Sequence, residues 1–136
     1  MKKEKLRIVL DSNIIVSAIH HRSLNPASVF KLIILGKLEG IVSEEIIGEI
    51  TEVLARKFKF KSKVLTEIEA SLRQDFEIVN PTQRVNIVRD PDDNKFIEAA
   101  AEGGCDYIVS GDKDLLDLKN YKTIKIVSPA EFLEVT

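Results

Sequence analysis

Two aspartates each end a short apolar run. Leu6-Arg7-Ile8-Val9-Leu10 runs into Asp11, and Tyr107-Ile108-Val109-Ser110-Gly111 runs into Asp112. Both runs are rich in Ile and Val and bounded by polar residues or glycine, which predicts buried strands. As parallel neighbours, these strands would deliver both carboxylates to the carboxyl edge of one sheet, where open α/β sheets bind ligands. Two carboxylates held together repel. The counter-charge that suits them is a hard divalent cation, which prefers carboxylate oxygens.

Two further acids point to the same edge. A helix from Glu44 to about Lys57 carries an apolar stripe centred between Ile46 and Ile50. Glu49 lies beside Ile46 and Val53 and is the acid nearest that stripe, while Glu44, Glu45 and Glu52 look outward. Asp93 lies three and four residues before Phe96 and Ile97 and so shares their helix face, with Ala100. Each acid also has a plainer role to hand. Asp92 or Asp93 suits an N-cap, Asp11, Asp112 and Asp114 suit turns, and Glu49 suits a solvated flank. Four acids at strand or helix boundaries facing one edge are harder to explain by turn chemistry alone.

The elements that must position them read as follows. Leu6 to Leu10 is the first strand, and Asn13 to Ile19 opens an apolar helix or loop. Pro26 precedes a helix over Ala27 to Leu35, ended by Gly36. Ile41-Val42 is a short strand. Ser43 caps the Glu44 helix, with acids in its first turn. A following helix holds Val64, Leu65, Ile68, Leu72 and Phe76 on one face, and Asn80-Pro81 breaks it. Val85 to Val88 predicts a weak strand. A helix from Asp92 or Asp93 through Ala101 ends at Gly103-Gly104. Asp106 to Ser110 and Ile124 to Val127 are strands, and Ser128-Pro129 caps a last helix over Ala130 to Glu134. Strands alternating with helices imply a three-layer α/β/α sandwich around a central, mainly parallel sheet.

The bulk numbers fit that picture. The chain has 136 residues, 44% of them hydrophobic and 31% charged, which suits one domain over residues 1–136 with a real core. Its net charge of -2 excludes a uniformly basic polyanion binder, so any nucleic-acid contact must come from a local patch. The single cysteine, Cys105, has neither a disulfide partner nor zinc-type spacing and reads as a strand-entry residue. No apolar run approaches a membrane span. Met1-Lys2-Lys3-Glu4-Lys5 is basic, but the apolar run behind it is too short for a secretory signal, which leaves the cytoplasm as the expected compartment.

A resemblance follows from the order of these segments. Val9-Leu10-Asp11-Ser12-Asn13 comes first, then Glu49 in its amphipathic helix. Asp90-Pro91-Asp92-Asp93-Asn94-Lys95-Phe96-Ile97-Glu98-Ala99-Ala100 follows, then Ile108-Val109-Ser110-Gly111-Asp112-Lys113-Asp114-Leu115-Leu116. From Leu6 to about Phe132 the chain resembles the PIN domain, and within it the bacterial and archaeal proteins, related to VapC, described as toxins of toxin–antitoxin pairs. The resemblance implies an endoribonuclease that depends on Mg²⁺ or Mn²⁺ and cleaves RNA phosphodiesters with an activated water. Asp11, Glu49, Asp93 and Asp112 fall on its catalytic positions, with Asp11, Asp93 and Asp112 as metal ligands. Asn13, Ser110 and Asp114 fall on supporting positions. Many members have Thr where this chain has Ser110, and the hydroxyl is kept. Asp90 and Asp92 flank Asp93. The implied partners are an RNA substrate, a small antitoxin protein and a second copy of the chain, with no membrane contact.

An acidic centre repels RNA, so attraction must come from elsewhere. Arg56, Lys57, Lys59, Lys61 and Lys63 lie in eight residues with Phe58 and Phe60 interleaved. The basic groups suit phosphates and the aromatic rings suit stacked bases. The plainer reading is a solvated connection between helices whose Phe residues pack inward. His20 and His21 read as exposed loop residues. Asp11-Ser12-Asn13 lacks the second acid of a HAD-type phosphatase, and the opening strand lacks the paired acids of a receiver domain. The remaining alternative is a PIN-like RNA- or protein-binding module without catalysis, against which all four acids are present.

Overall fold

Four β-branched runs and one Phe-led run pair into the parallel part of the sheet. The computed structural model describes residues 5–21 and 24–136; the basic N-terminal residues up to Glu4 lie outside them. β1 (Arg7–Leu10) is followed by α1 (Ser12–Val16), a π-helical turn (Ser17–His21) and α2 (Leu24–Ile34). Then come β2 (Glu39–Ser43), α3 (Glu44–Phe58), α4 (Ser62–Asp75) and β3 (Phe76–Val79). A 3-10 turn (Pro91–Asp93) leads into α5 (Asn94–Glu102), β4 (Tyr107–Val109) and α6 (Lys113–Leu116). β5 (Asn120–Tyr121), β6 (Ile124–Val127) and α7 (Pro129–Val135) complete the chain.

The strand order is β3-β2-β1-β4-β6-β5, parallel except for the short edge strand β5. β1 pairs with β2 on one side and β4 on the other, with Leu10 opposite Val109. The chain winds outward from β1 to β3 and then returns to lay β4 on β1's other side. The order therefore reverses between β1 and β4, the point at which such sheets open a crevice for a ligand. Ile8, Val9, Leu10, Ile41, Val42, Ile108 and Val109 are all buried, although successive residues point to opposite faces. Both faces are thus covered, as a three-layer α/β/α sandwich requires. No helix of the described residues is long and apolar enough to cross a membrane.

Several boundaries follow from local chemistry. Ser43 Oγ accepts the Ile46 N–H at 3.2 Å and starts α3, whose Ile46, Ile47, Ile50 and Leu54 are buried. Ser128 and Glu131 form a reciprocal capping box at α7. Pro26 sits in the first turn of α2, and Gly36 follows that helix with a positive φ of 76°.

Two expectations are corrected. Phe76 does not continue the α4 face. It is the first residue of β3, opposite Gly40, and its ring lies 2.6 Å from where a Cβ on Gly40 would stand. Val85 to Val88 is not a strand. The Val85 N–H goes to Glu98 Oε2 at 3.0 Å, and those of Ile87 and Val88 go to Asn94 Oδ1 at 3.1 and 3.0 Å. Side chains of α5 take the bonds that a neighbouring strand would have supplied.

Candidate active site

The acids meet at the β1/β4 crevice because both strands end one residue or a short turn before them. Asp11 leaves β1 and its N–H donates to Val109 O at 3.0 Å, so the sheet ladder itself fixes its backbone. Its side chain is 3% exposed. Asp11 Oδ1 accepts the Asn13 N–H at 2.6 Å, which caps α1. Oδ2 accepts the Ser110 hydroxyl at 2.6 Å. The same Ser110 oxygen accepts the Asp112 N–H at 2.9 Å. One buried hydroxyl therefore ties the two strand-end acids together. Asp112 in turn caps α6, its Oδ1 accepting the Asp114 N–H at 3.3 Å. The capping roles anticipated for these aspartates are thus real, and they coexist with the cluster. Each carboxylate oxygen has a second lone pair available after its cap bond.

Asp93 comes from the other side, at the end of the 3-10 turn. Asp90 Oδ1 accepts the Asp92 N–H at 3.0 Å and so shapes that turn, Asp92 is exposed, and Asp93 approaches Asp112 and Asp114. Asp93, Asp112 and Asp114 each present a carboxylate oxygen within 4.8 Å of the other two. Asp93 Oδ2 is buried without a hydrogen-bond partner. Burial, the closeness of the Asp112 carboxyl and then the charges of Asp112, Asp90 and Asp11 push the Asp93 carboxyl up to about 8. Burial also raises Asp11, opposed by the Ser110 hydroxyl and the Asn13 N–H and assisted by the charges of Asp112 and Glu49. A crevice of about 280 Å³ opens between Asp11, Asn13, Ile14, Ser17, Gly111 and Asp112.

These observations test whether a divalent cation suits the site. Three converging carboxylate oxygens, a buried oxygen with no partner and a carboxyl driven toward its neutral form are what a cation would relieve. The all-oxygen donor set suits a hard ion such as Mg²⁺ or Mn²⁺. The residues present fit the group.

The remaining candidates are placed as follows. Glu49 borders the interior of α3 but pairs with Lys95, Nζ to Oε2 at 3.1 Å, and its carboxylate is outside the three that converge. Asn13 supports Asp11 through its backbone, while its side chain lies exposed at the crevice. Asp114 meets the cluster directly and lies 3.6 Å from Arg89. Arg56 and Lys57 occupy the last turn of α3, Lys59 follows it at φ 59°, and Lys61 precedes α4. Arg56 is paired with Glu52. Phe58 and Phe60 are half-buried against the core, and the His20 ring stacks on Phe58 at 3.8 Å. The inward packing of both rings is therefore the geometry found, and one Phe58 face is already taken.

Sequence reasoning missed Lys95, Asn94 and Glu98. All three are buried polar residues of α5. Asn94 Nδ2 donates to Pro91 O at 3.1 Å while its Oδ1 takes two N–H groups, which pins the loop before Asp93. The sequence carries no signal for this, because Asn94, Lys95, Glu98 and Glu102 share one arc of the helix and read as a solvated face. The backbone at 85–88 and Glu49 of α3 are what cover it.

Known proteins bear on this geometry. The PIN domain family profile matches residues 7–114. The uncharacterized protein MJ1680 of Methanocaldococcus jannaschii is 32% identical, over 98% of this chain and 94% of its own length. The fold is similar to a chain of the VapBC2 complex of Rickettsia felis, solved bound to a DNA fragment from their promoter. That match has a TM-score of 0.60, 13% identity, and covers 89% of this chain and 97% of the other. With Asp11 and Asp112 lining one crevice, Asp93 and Asp114 converging on Asp112, and the profile running through all of them, the chain belongs to the PIN domain family.

Proposed function

We propose that the chain is a divalent-metal-dependent endoribonuclease and the toxin component of a toxin–antitoxin pair, working in the cytoplasm. The observation that carries this reading is the convergence of Asp93, Asp112 and Asp114 on one point, with Asp93 Oδ2 buried and unpartnered. Asp11, Asp93 and Asp112 would hold the cation, with Asp114, whose carboxylate converges with those of Asp93 and Asp112, beside them. When bound, such an ion supplies positive charge for the phosphoryl oxygens and acidifies a water at neutral pH.

The chain's own residues do the rest. Ser110 and the Asn13 N–H fix the Asp11 carboxylate so that it meets its ligand without rearrangement. Asp93, whose carboxyl is pushed up by burial and by Asp112, would meet the cation as its carboxylate. Glu49, whose charge reaches Asp11, orients the attacking water through a carboxylate oxygen. Arg56, Lys57, Lys59 and Lys61 draw in the RNA backbone. The likeness in fold to a chain of a VapBC complex supports a partner protein of the antitoxin kind; a small antitoxin and a second copy of the chain are what the PIN resemblance adds.

Cleavage of a labelled RNA pool tests this. Mn²⁺ or Mg²⁺ is expected to support cutting, and EDTA or the Asp11→Asn/Asp112→Asn variant to abolish it. Intact RNA together with no Mn²⁺-induced rise in melting temperature would instead make the chain a binding module.

A further inference from the structure

Lys95 stands apart from every other basic residue described. The chain has 20 lysines and arginines, and among the described residues Lys95 is the one that is buried, at 8% exposed. An ammonium taken out of water costs several kcal/mol unless it is paired, so its location calls for a reason. Its ion-pair partner is Glu49, and it stands two residues after Asp93 on the helix that enters the crevice. The pair joins α3 to α5 directly beside the acids.

The cluster has room for one ion and little provision for a second. Oxygens across one Mg²⁺ or Mn²⁺ lie about 4.2 Å apart, twice a bond of about 2.1 Å. Asp93, Asp112 and Asp114 already stand within 4.8 Å of one another, so a slight closure forms a single shell. A second ion would have to draw on Asp11 and Glu49; both Asp11 oxygens already accept hydrogen bonds, from the Asn13 N–H and the Ser110 hydroxyl, and Lys95 Nζ sits 3.1 Å from Glu49.

We infer that the site is built for a single divalent ion, with Lys95 Nζ as a built-in second cation that holds Glu49 as a water-positioning carboxylate and not as a ligand. This rests on the nuclease reading above and fixes the division of labour within it. The ammonium neutralises Glu49, keeps it clear of the ion and leaves three or four aspartates to bind. Lys95 is a positioning residue in this scheme.

Counting bound Mn²⁺ by electron paramagnetic resonance tests it without reference to activity. Wild type is expected to bind one Mn²⁺ per chain. Lys95→Met, which frees Glu49, is expected to bind two. Lys95→Met/Glu49→Gln removes both charges and is expected to return to one, with affinity within about tenfold of wild type. Two ions of similar affinity in wild type would overturn the inference. So would a single ion in a folded Lys95→Met protein, since a merely structural salt bridge lowers melting temperature without changing the count. A loss beyond about 100-fold in the double variant would make Glu49 a ligand and overturn it as well. If Lys95→Met fails to fold, the wild-type count and the double variant still decide. No binding to wild type would overturn the metal reading itself, and this inference with it.

Discussion

At the scale of the residue, Asp93 carries the tension of the site. Its carboxyl is raised to about 8, foremost by burial and then by its closeness to Asp112. An acid raised in the fold binds its proton more tightly there than in the unfolded chain. The unfolded chain therefore holds fewer protons between the ordinary carboxyl range and about pH 8, and stability falls as pH rises through that window. Asp11, also raised by burial, acts in the same direction. The metal-free protein is thus expected to melt lower at pH 8 than at pH 5. Asp93→Asn, which cannot ionise, is expected to flatten that slope and to weaken Mn²⁺ binding by at least ~10-fold. Thermal melts in EDTA across this range check the first claim, and Mn²⁺ titration checks the second. An Asp93→Asn protein with the wild-type slope would place the strain elsewhere.

At the scale of the element, the sequence is most legible where period and capping agree. The runs before Asp11 and Asp112 are short and β-branched, and both became adjacent parallel strands at the sheet centre. The α3 stripe placed Glu49 at the interior border, where it is found. β3 was not legible. Phe76 lies four residues after Leu72 and so continues the helical period of α4, whereas its place is decided by Gly40 across the sheet. The loop at 85–88 misled for a similar reason, because its partners are side chains on a later helix. Lys95 escaped notice because a helical lysine ordinarily reads as solvated, and only the surrounding helices make it interior. Gly40 gives this account a direct test. A Cβ there would meet the Phe76 ring at 2.6 Å and Ile33 Cδ1 at 3.0 Å, in a layer with no slack. Gly40→Ala is expected to destabilise the fold by about 1–3 kcal/mol, measured by denaturant unfolding. Pairing it with Phe76→Leu should recover part of that loss, because the smaller side chain vacates the space. Full stability in Gly40→Ala alone would mean that β3 shifts readily, and that its docking is set by something other than this close approach.

At the scale of the whole molecule, a net charge of -2 conceals a separation of charge. The acids of the crevice gather at the carboxyl edge of the sheet. Arg7, near the opposite edge, is consumed by Glu39 and Glu77 and by the Gly103 carbonyl, a network that braces β1, β2 and β3. A cluster of exposed positive charge lies at the turn from α3 to α4, about 12 Å along α3 from Glu49 at 1.5 Å per residue. Lys57, Lys59 and Lys61 are exposed there, while Phe58 and Phe60 are turned toward the core and His20 covers Phe58. The RNA attraction proposed for this turn would therefore be electrostatic, with little surface left for stacking a base. The distinction is measurable, because phosphate contacts release counterions and stacking does not. Lys59→Glu/Lys61→Glu is expected to weaken binding of single-stranded RNA. The slope of log affinity against log salt should fall by about 1.4, at ~0.7 per lost phosphate contact. Mn²⁺ affinity should stay as in wild type, since neither residue touches the acids. Replacing Phe60 by Leu should leave the slope unchanged. If the double reversal leaves both affinity and slope intact, RNA reaches the acids by a different face, and the basic turn is a solvated connection and nothing more.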